Sequence, residues 1–405
     1  MTITRRDFVL GTASGLALAT QGLVRPSLAQ SASEPIRFGW LAALTGPSSA
    51  PAIGFDRGVN FAANEINAGG GSGGGVGRRK IEIVTRDTQG DPTKAVNATQ
   101  EMISRLKVNA IWGPTNSGEA LATTPIMARG KMPNIHPCVV NSLIDPEKFP
   151  NAFRTAPANV QWDAAVRKYA LDILKLRDIA VIGDTTGYGT TAVDDSVKGY
   201  KAASANVAYQ AQIDSSQPDV MADMLRIKNS GAKVVQVWTV STGLIARLLN
   251  ARAQLAWDVP FIGHPSLGAG EVQKLLEKPE NWEKVYMIGY RSCSFDASGK
   301  LPARTAAFVE RLTAAKVTLA DTSLWWVAGG YDAVQLVAKA VEASGSTSSE
   351  AIIKYWDSLS AGYPGIFGNY VWTSKEHNGF PTDDVVMSRA NTQKDGAFAL
   401  APGYA

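Results

Sequence analysis

At 405 residues, 45% hydrophobic and 19% charged, the chain is long enough for two domains of ordinary size and apolar enough to bury a core in each. Its formal charge is +4, of which Arg5, Arg6 and Arg25 against Asp7 contribute +2, so the remainder is close to neutral. That balance, with no run of lysine and arginine, excludes a nucleic-acid role and a membrane-surface patch.

The chain opens with Thr4-Arg5-Arg6-Asp7-Phe8, an apolar run from Leu10 to Ala19, and a small-residue stretch ending Ser27-Leu28-Ala29. A spanning helix needs roughly 20 apolar residues, about twice this run, so residues 1–29 read as a cleavable signal peptide. The paired arginines ahead of Phe8 point to twin-arginine export into the periplasm, with a chance Arg-Arg in an ordinary secretory signal as the bland alternative. No cysteine follows the apolar run, so no lipid anchor is expected.

From Ile36 onward, short apolar runs alternate with helical patterns, the signature of parallel sheets covered by helices. Ile36 to Leu41 predicts a strand, and Gly54 to Asn67 a helix with Val59, Ala62, Ala63 and Ile66 on one face. Strands follow at 81–84, 110–112 and 133–135, separated by a helix capped by Asp91-Pro92 and another from Ser117 to Arg129. A second series begins after Phe153-Arg154-Thr155. Its strands are expected at 179–182, 207–209, 234–240 and 259–263, its helices at 161–174, 220–228 and 244–254. Val285 to Gly289 predicts a return strand. Helices at 303–315 and 323–343 are expected to resume the first lobe, and 367–372 with 383–387 read as a hairpin-like tail.

The glycine tract from Gly69 to Gly77 contains accidental matches to a hydrolase G-x-S-x-G and to a dinucleotide fingerprint. Both motifs should follow a strand and open a helix, whereas this tract follows a helix and leads into a strand. Cys138 and Cys293 have no neighbouring cysteine and so no zinc spacing; whether they pair is left open by the sequence. His136, His264 and His377 show no metal spacing either, and no cofactor is expected.

The chain resembles the periplasmic branched-chain amino-acid-binding proteins of ABC transporters. The resemblance runs almost end to end. It is carried by Leu44-Thr45-Gly46-Pro47 with Gly54, by Ala62-Ala63-Asn64-Glu65-Ile66-Asn67-Ala68-Gly69-Gly70, and by Asp87 with Asp91-Pro92-Thr93-Lys94-Ala95. Gly113 with Ser117, Phe153-Arg154-Thr155 with Gln161, Gly183-Asp184 with Gly187-Tyr188-Gly189, and Tyr331-Asp332-Ala333 continue it in order. The resemblance implies an α/β fold of the type I periplasmic binding protein kind, two Rossmann-like lobes with parallel-sheet cores joined by a hinge of three crossovers. The expected lobes are 35–155 plus 290–365, and 156–289 plus 366–405. It also implies a monomer that closes on a small molecule and is read by an ABC transporter permease in the inner membrane.

The turn Asn116-Ser117-Gly118 opens a helix, whose free N–H groups and positive dipole end make a ready carboxylate site. The duller reading is that Asn116 or Ser117 merely caps that helix. Ligands in open α/β sheets sit beyond the carboxyl ends of the strands, which brings in Ser49 and Ala50 on one side and Cys138, Val139 and Val140 on the other. Tyr188, Trp238, Ser241 and His264 follow the strands of the second lobe, at loops where the resembled family places ligand contacts; for Trp238 and His264 a core role is the alternative.

The chain departs from that family where a threonine would be expected at Cys138-Val139-Val140 and an acidic residue at Gly263-His264-Pro265, both holding a ligand ammonium. A buried ammonium without an anionic or carbonyl partner costs several kcal/mol. The expected ligand is therefore a small carboxylic acid without an amino group, aromatic or branched, with its carboxylate at Ser117. Two other classes remain open at this point: a hydrolase built on Ser117 or on Cys138 with His136, and a ligand-binding subunit of a sensory system.

Overall fold

The computed structural model describes residues 34–69, 75–77 and 79–404. The leader expected over 1–29 and the middle of the glycine tract lie outside the described residues.

The first half of the chain runs β1 (Ile36–Ala42), α1 (Ser49–Gly69), β2 (Ile81–Asp87), α2 (Pro92–Ser104), β3 (Ala110–Trp112), α3 (Ser117–Arg129), β4 (Asn134–His136) and β5 (Ala152–Arg154). These strands form one sheet, ordered β2-β1-β3-β4-β5 and parallel throughout. Helices cover both faces, so the strands read as almost continuous apolar runs; Phe38, Trp40 and Leu41 of β1 are all buried. Asp91 starts α2 as expected, its carboxylate accepting from Thr93 N and Lys94 N at 2.7 and 3.1 Å while Pro92 takes the first helical position.

After β5 the chain enters α4 (Asn159–Lys168), which continues as a π turn through Ile173, and then β6 (Asp178–Asp184), α5 (Gly187–Ala202), β7 (Asn206–Ile213), α6 (Met221–Asn229), β8 (Val234–Trp238), α7 (Thr242–Gln254), β9 (Phe261–Gly263), α8 (Gly270–Leu275) and β10 (Val285–Tyr290). They build a second sheet, ordered β14-β10-β9-β8-β6-β7, in which β14 (Val385–Arg389) is an antiparallel edge. Between β10 and β14 lie β11 (Ser294–Phe295), α9 (Ala303–Ala314), α10 (Leu324–Ser344), α11 (Ser349–Trp356), β12 (Tyr363–Pro364) and β13 (Asn369–Tyr370); β15 (Phe398–Ala399) ends the chain beside β11.

Helix α10 returns to the first lobe and lies against α1 nearly backbone to backbone. A Cβ on Gly58 would stand 1.9 Å from the Val327 carbonyl oxygen, and one on Gly330 would stand 2.2 Å from that of Phe55, so only glycine permits this approach. Arg57 fixes the pair further with hydrogen bonds to Asp321 at 2.6 and 3.2 Å. The chain thus passes between the two lobes three times, after β5, after β10 and before β14.

The tail differs from the sequence expectation. Residues 367–372 and 383–387 do not form a hairpin with each other: β13 pairs with β12, and β14 pairs with β10, about a hundred residues earlier. The segment 366–380, expected in the second lobe, packs on the first. Buried Asp332 of α10 accepts from Ile366 N, Phe367 N and the Tyr370 hydroxyl, each at 2.8 Å, and Trp372 packs 5.1 Å from Phe153 of β5. A non-local carboxylate that satisfies two backbone amides outweighs the strand-like alternation of Phe367 to Trp372.

Candidate functional site

The carboxyl ends of both sheets face a common cleft, which leaves a half-open pocket of about 40 Å³. From the first lobe, the loop after β3 brings Thr115, Asn116 and Ser117, and the loop after β4 brings Pro137, Cys138 and Val139. Helices α1 and α10 add Pro51, Phe55, Trp325 and Trp326. From the other side come Trp162 of α4, Tyr188 in the first turn of α5, Val240 after β8 and His264 after β9.

Local hydrogen bonds set these groups. The Asn116 side chain caps α3 by accepting from Gly118 N at 2.8 Å, which leaves other first-turn amides of α3 without helical partners. In the second lobe Asp184 holds the β6–α5 turn: its carboxylate accepts from Thr186 N at 3.0 Å and from the Thr239 hydroxyl, at the end of β8, at 2.6 Å. Thr239 in turn accepts from Ser241 N at 3.0 Å, so the loops after two adjacent strands are locked together.

Among the described residues, no aspartate, glutamate, lysine or arginine lines the cavity. His264 is buried, and burial pushes its pKa down to about 3, so it is neutral at physiological pH. Its Nδ1 accepts from Ser266 N at 3.0 Å, which places the proton on Nε2. Tyr188 packs edge-on to His264 at 5.3 Å, and Trp162 does the same from the other side at 5.3 Å. The cavity is an aromatic box with dipolar ends, without any group that could neutralise an ammonium.

Of the residues singled out from sequence, the fold brings Asn116, Ser117, Cys138, Val139, Tyr188 and His264 to the cavity wall. Five others stand elsewhere. Ser49 and Ala50 sit one turn too early in α1, where Pro51 and Phe55 face the cavity instead. Val140 turns into a small buried cluster with Ala120, Cys138 and Leu143. Trp238 is wholly buried behind Tyr188, with its indole N–H donated to the Ser196 hydroxyl at 2.8 Å. Ser241 caps α7 by accepting from Leu244 N. Sequence reasoning passed over Phe55, Trp162, Trp325 and Trp326. The signal was there in the last two: a Trp-Trp pair opening a helix straight after the polar Asp321-Thr322-Ser323.

The cysteines are both free and buried. Cys138 donates to the Pro114 carbonyl at 3.0 Å, and burial pushes its thiol pKa far up. His136 is buried with neither ring nitrogen hydrogen-bonded, and its pKa is pushed down to about 3. A thiolate–imidazolium pair needs both shifts in the opposite direction, so these two residues do not form a nucleophilic dyad. Among the described residues no group of histidine, cysteine and carboxylate side chains is placed to hold a metal ion.

A family model described as periplasmic binding protein matches residues 35–397. The Leu/Ile/Val-binding protein BraC3 of Rhizobium johnstonii is 26% identical over 238 residues, 58% of this chain and 63% of that relative. Leu/Ile/Val-binding protein homolog 1 of Brucella abortus is 23% identical over 232 residues, 57% of this chain and 61% of its own length, so the matched stretch falls short of two thirds of both relatives. The type 1 periplasmic binding protein of Bordetella pertussis superposes with a TM-score of 0.79 at 23% identity, over 91% of this chain and all of that one. A Rhodopseudomonas palustris solute-binding protein solved with 4-hydroxybenzoate gives 0.72 at 19% identity, over 91% and 95%. The LivJ substrate-binding protein of Streptococcus pneumoniae solved with isoleucine gives 0.74 at 19%, over 91% and 99%. The chain belongs to the periplasmic binding protein family, in the type I two-lobed form shared with the Leu/Ile/Val-binding proteins.

Proposed function

We propose that the protein is the solute-capturing component of an ABC importer, and that it takes a small carboxylic acid lacking an amino group, aromatic or branched, into the interlobe cavity. The observation that carries this reading is the chemistry of the cavity wall: two helix amino termini, α3 and α5, meet at it, and no acidic side chain lines it. Aligned amides at a helix start favour an anion, and a carboxylate at the wall beside two such ends is held without a counter-ion. Phe55, Trp162 and Trp326 supply apolar faces for the remainder of the ligand. At about 40 Å³ the pocket must widen, by parting of the lobes or turning of side chains, to admit a small metabolite.

The two lobes, 35–155 with 290–365 plus the following segment to about 380, and 156–289 with the chain from 385 onward, close on the ligand as a monomer. The closed form is then recognised by an inner-membrane permease. Arg5 and Arg6 direct the folded chain to the periplasm by the twin-arginine route. Replacing both arginines by lysine should strand the precursor in the cytoplasm.

The names of the curated relatives favour a second reading, capture of leucine, isoleucine or valine. Calorimetric titration of purified protein with aromatic and branched acids, and with the three amino acids, separates the two. Binding of the acids without the amino acids is expected; binding of leucine with no response to any acid would overturn the first reading.

A further inference from the structure

The cavity wall offers more hydrogen-bond donors than a single carboxylate at α3 would use. The Tyr188 hydroxyl and the Trp325 indole N–H are both buried, and neither has a partner among the described residues. Trp162, on the same wall, has its indole N–H donated to the Tyr290 hydroxyl at 2.9 Å, while away from the wall the Trp112 and Trp372 N–H groups are also without a partner among the described residues. His264 adds a third donor, since the hydrogen bond at Nδ1 leaves the proton on Nε2. An unpaired buried donor costs about 1–3 kcal/mol, and groups left in that state call for a partner that arrives later. The donors come from both lobes, Trp325 from α10 on one and Tyr188 and His264 on the other, so one acceptor on the ligand would bridge them on closure.

We propose that the solute carries, besides its carboxylate, a second and uncharged acceptor, a hydroxyl or a ketone oxygen, received by the Trp325 indole N–H together with Tyr188 and His264. The assignment rests on the carboxylate reading above and narrows it to hydroxy and keto acids. A second carboxylate fits less well, because no lysine or arginine lines the cavity to balance it.

Matched pairs test this by calorimetry: benzoate against 4-hydroxybenzoate, phenylacetate against 4-hydroxyphenylacetate, and 4-methylpentanoate against 4-methyl-2-oxopentanoate. In at least one pair the oxygenated member should bind tenfold or more tightly. Trp325→Phe, which keeps an aromatic ring and loses the donor, should collapse the affinity ratio within that pair to below about threefold, whatever it does to the parent acid. Equal affinity within every pair overturns the second acceptor while the carboxylate reading stands. An equal loss for both members on Trp325→Phe overturns the role of its N–H. Failure of all six acids, with leucine bound, overturns both readings.

Discussion

Gly118 and Gly187 meet across the cleft: a Cβ built on Gly187 would lie 3.4 Å from the Gly118 Cα. Each stands in the first turn of its helix, α3 and α5, so the contact brings two positive dipole ends together. An anion seated beside this contact, at the cavity wall, would offset that mutual repulsion and so couple closure to ligand charge. Asp195 of α5 adds a polar contact between the lobes, accepting from Asn159 of its own lobe at 3.1 Å and from Asn141 of the first lobe at 3.4 Å. Gly187→Leu places a branched side chain in a gap that a Cβ alone already fills and should prop the lobes apart. Affinity for the best-binding acid should fall at least tenfold, and small-angle scattering should show no contraction on ligand addition. An unaltered contraction would remove the contact from the closure mechanism.

Ser117 is the first residue of α3, buried and on the cavity wall. If its hydroxyl donates to the ligand carboxylate, Ser117→Ala loses a hydrogen bond to a charged group, worth about 1.5–3 kcal/mol, or about ten- to a hundredfold in affinity. Ser117→Asp sets a like charge at the same point and should abolish binding of acids, with the fold intact by circular dichroism.

Trp238 provides the contrasting case. Its N–H is taken by Ser196, whose hydroxyl also accepts from Gln236 at 2.9 Å, so the ring belongs to the core beneath β8. Trp238→Phe should lower stability by about 1–3 kcal/mol in denaturant titration and leave acid affinity unchanged.

Trp238 also marks the boundary of what was legible in the chain. The strands were readable because helices cover both sheet faces, which turns Ile179–Ile182 into an unbroken apolar run and Val234–Trp238 into one interrupted only by Gln236. The loops carrying Ser117, Tyr188 and His264 were readable because the carboxyl ends of parallel strands must share one edge. Depth was not readable. Trp238 ends its strand where a ligand contact could stand, yet its side chain turns inward, while Trp325 and Trp326 open a helix that reads as core and yet face the cavity. Strand period and helix period give direction relative to a sheet or a helix axis; they do not say which rings the opposite lobe will meet. The tail was misread for a related reason, since β14 finds its partner in β10 and nothing local to Val385–Arg389 indicates it.

Packing of α10 on α1 gives a stability prediction independent of the ligand. With the Val327 carbonyl 1.9 Å from where its Cβ would be, Gly58→Ala cannot be absorbed by a side-chain rotation and must separate the two helices. A loss of more than about 3 kcal/mol is expected, enough to lower soluble yield, whereas a Cβ at Gly69, at the end of the same helix, meets nothing within 4 Å among the described residues, and Gly69→Ala should be harmless.

Glu119 supplies a pH dependence with a definite sign. It is fully buried in the first turn of α3, and burial raises its pKa from 4.5 to about 7; the charges of Asp87 and Asp91 push the same way, and neither carboxylate oxygen has a hydrogen-bond partner among the described residues. The folded protein therefore keeps this proton up to about pH 7, while the unfolded chain releases it near 4.5. Between those values the folded state holds more protons, so the contribution of Glu119 to stability is at its best below 4.5 and declines as pH rises through the window. Above 7 the cost levels off at about 3 kcal/mol. His136 and His264, whose pKa values burial pushes down to about 3, tilt stability the opposite way below pH 6.5, but they do so equally in a Glu119→Gln variant and cancel in the comparison. Denaturant unfolding of both proteins at pH 4.5 and pH 8 should show the variant gaining about 3 kcal/mol on the parent across that interval. A carboxylate bound at Ser117, two residues away, would favour the protonated form further, so acid affinity should weaken from pH 6 to pH 8 in the parent and stay level in Glu119→Gln. A constant difference in stability with pH would mean that Glu119 is already ionised in the fold at neutral pH.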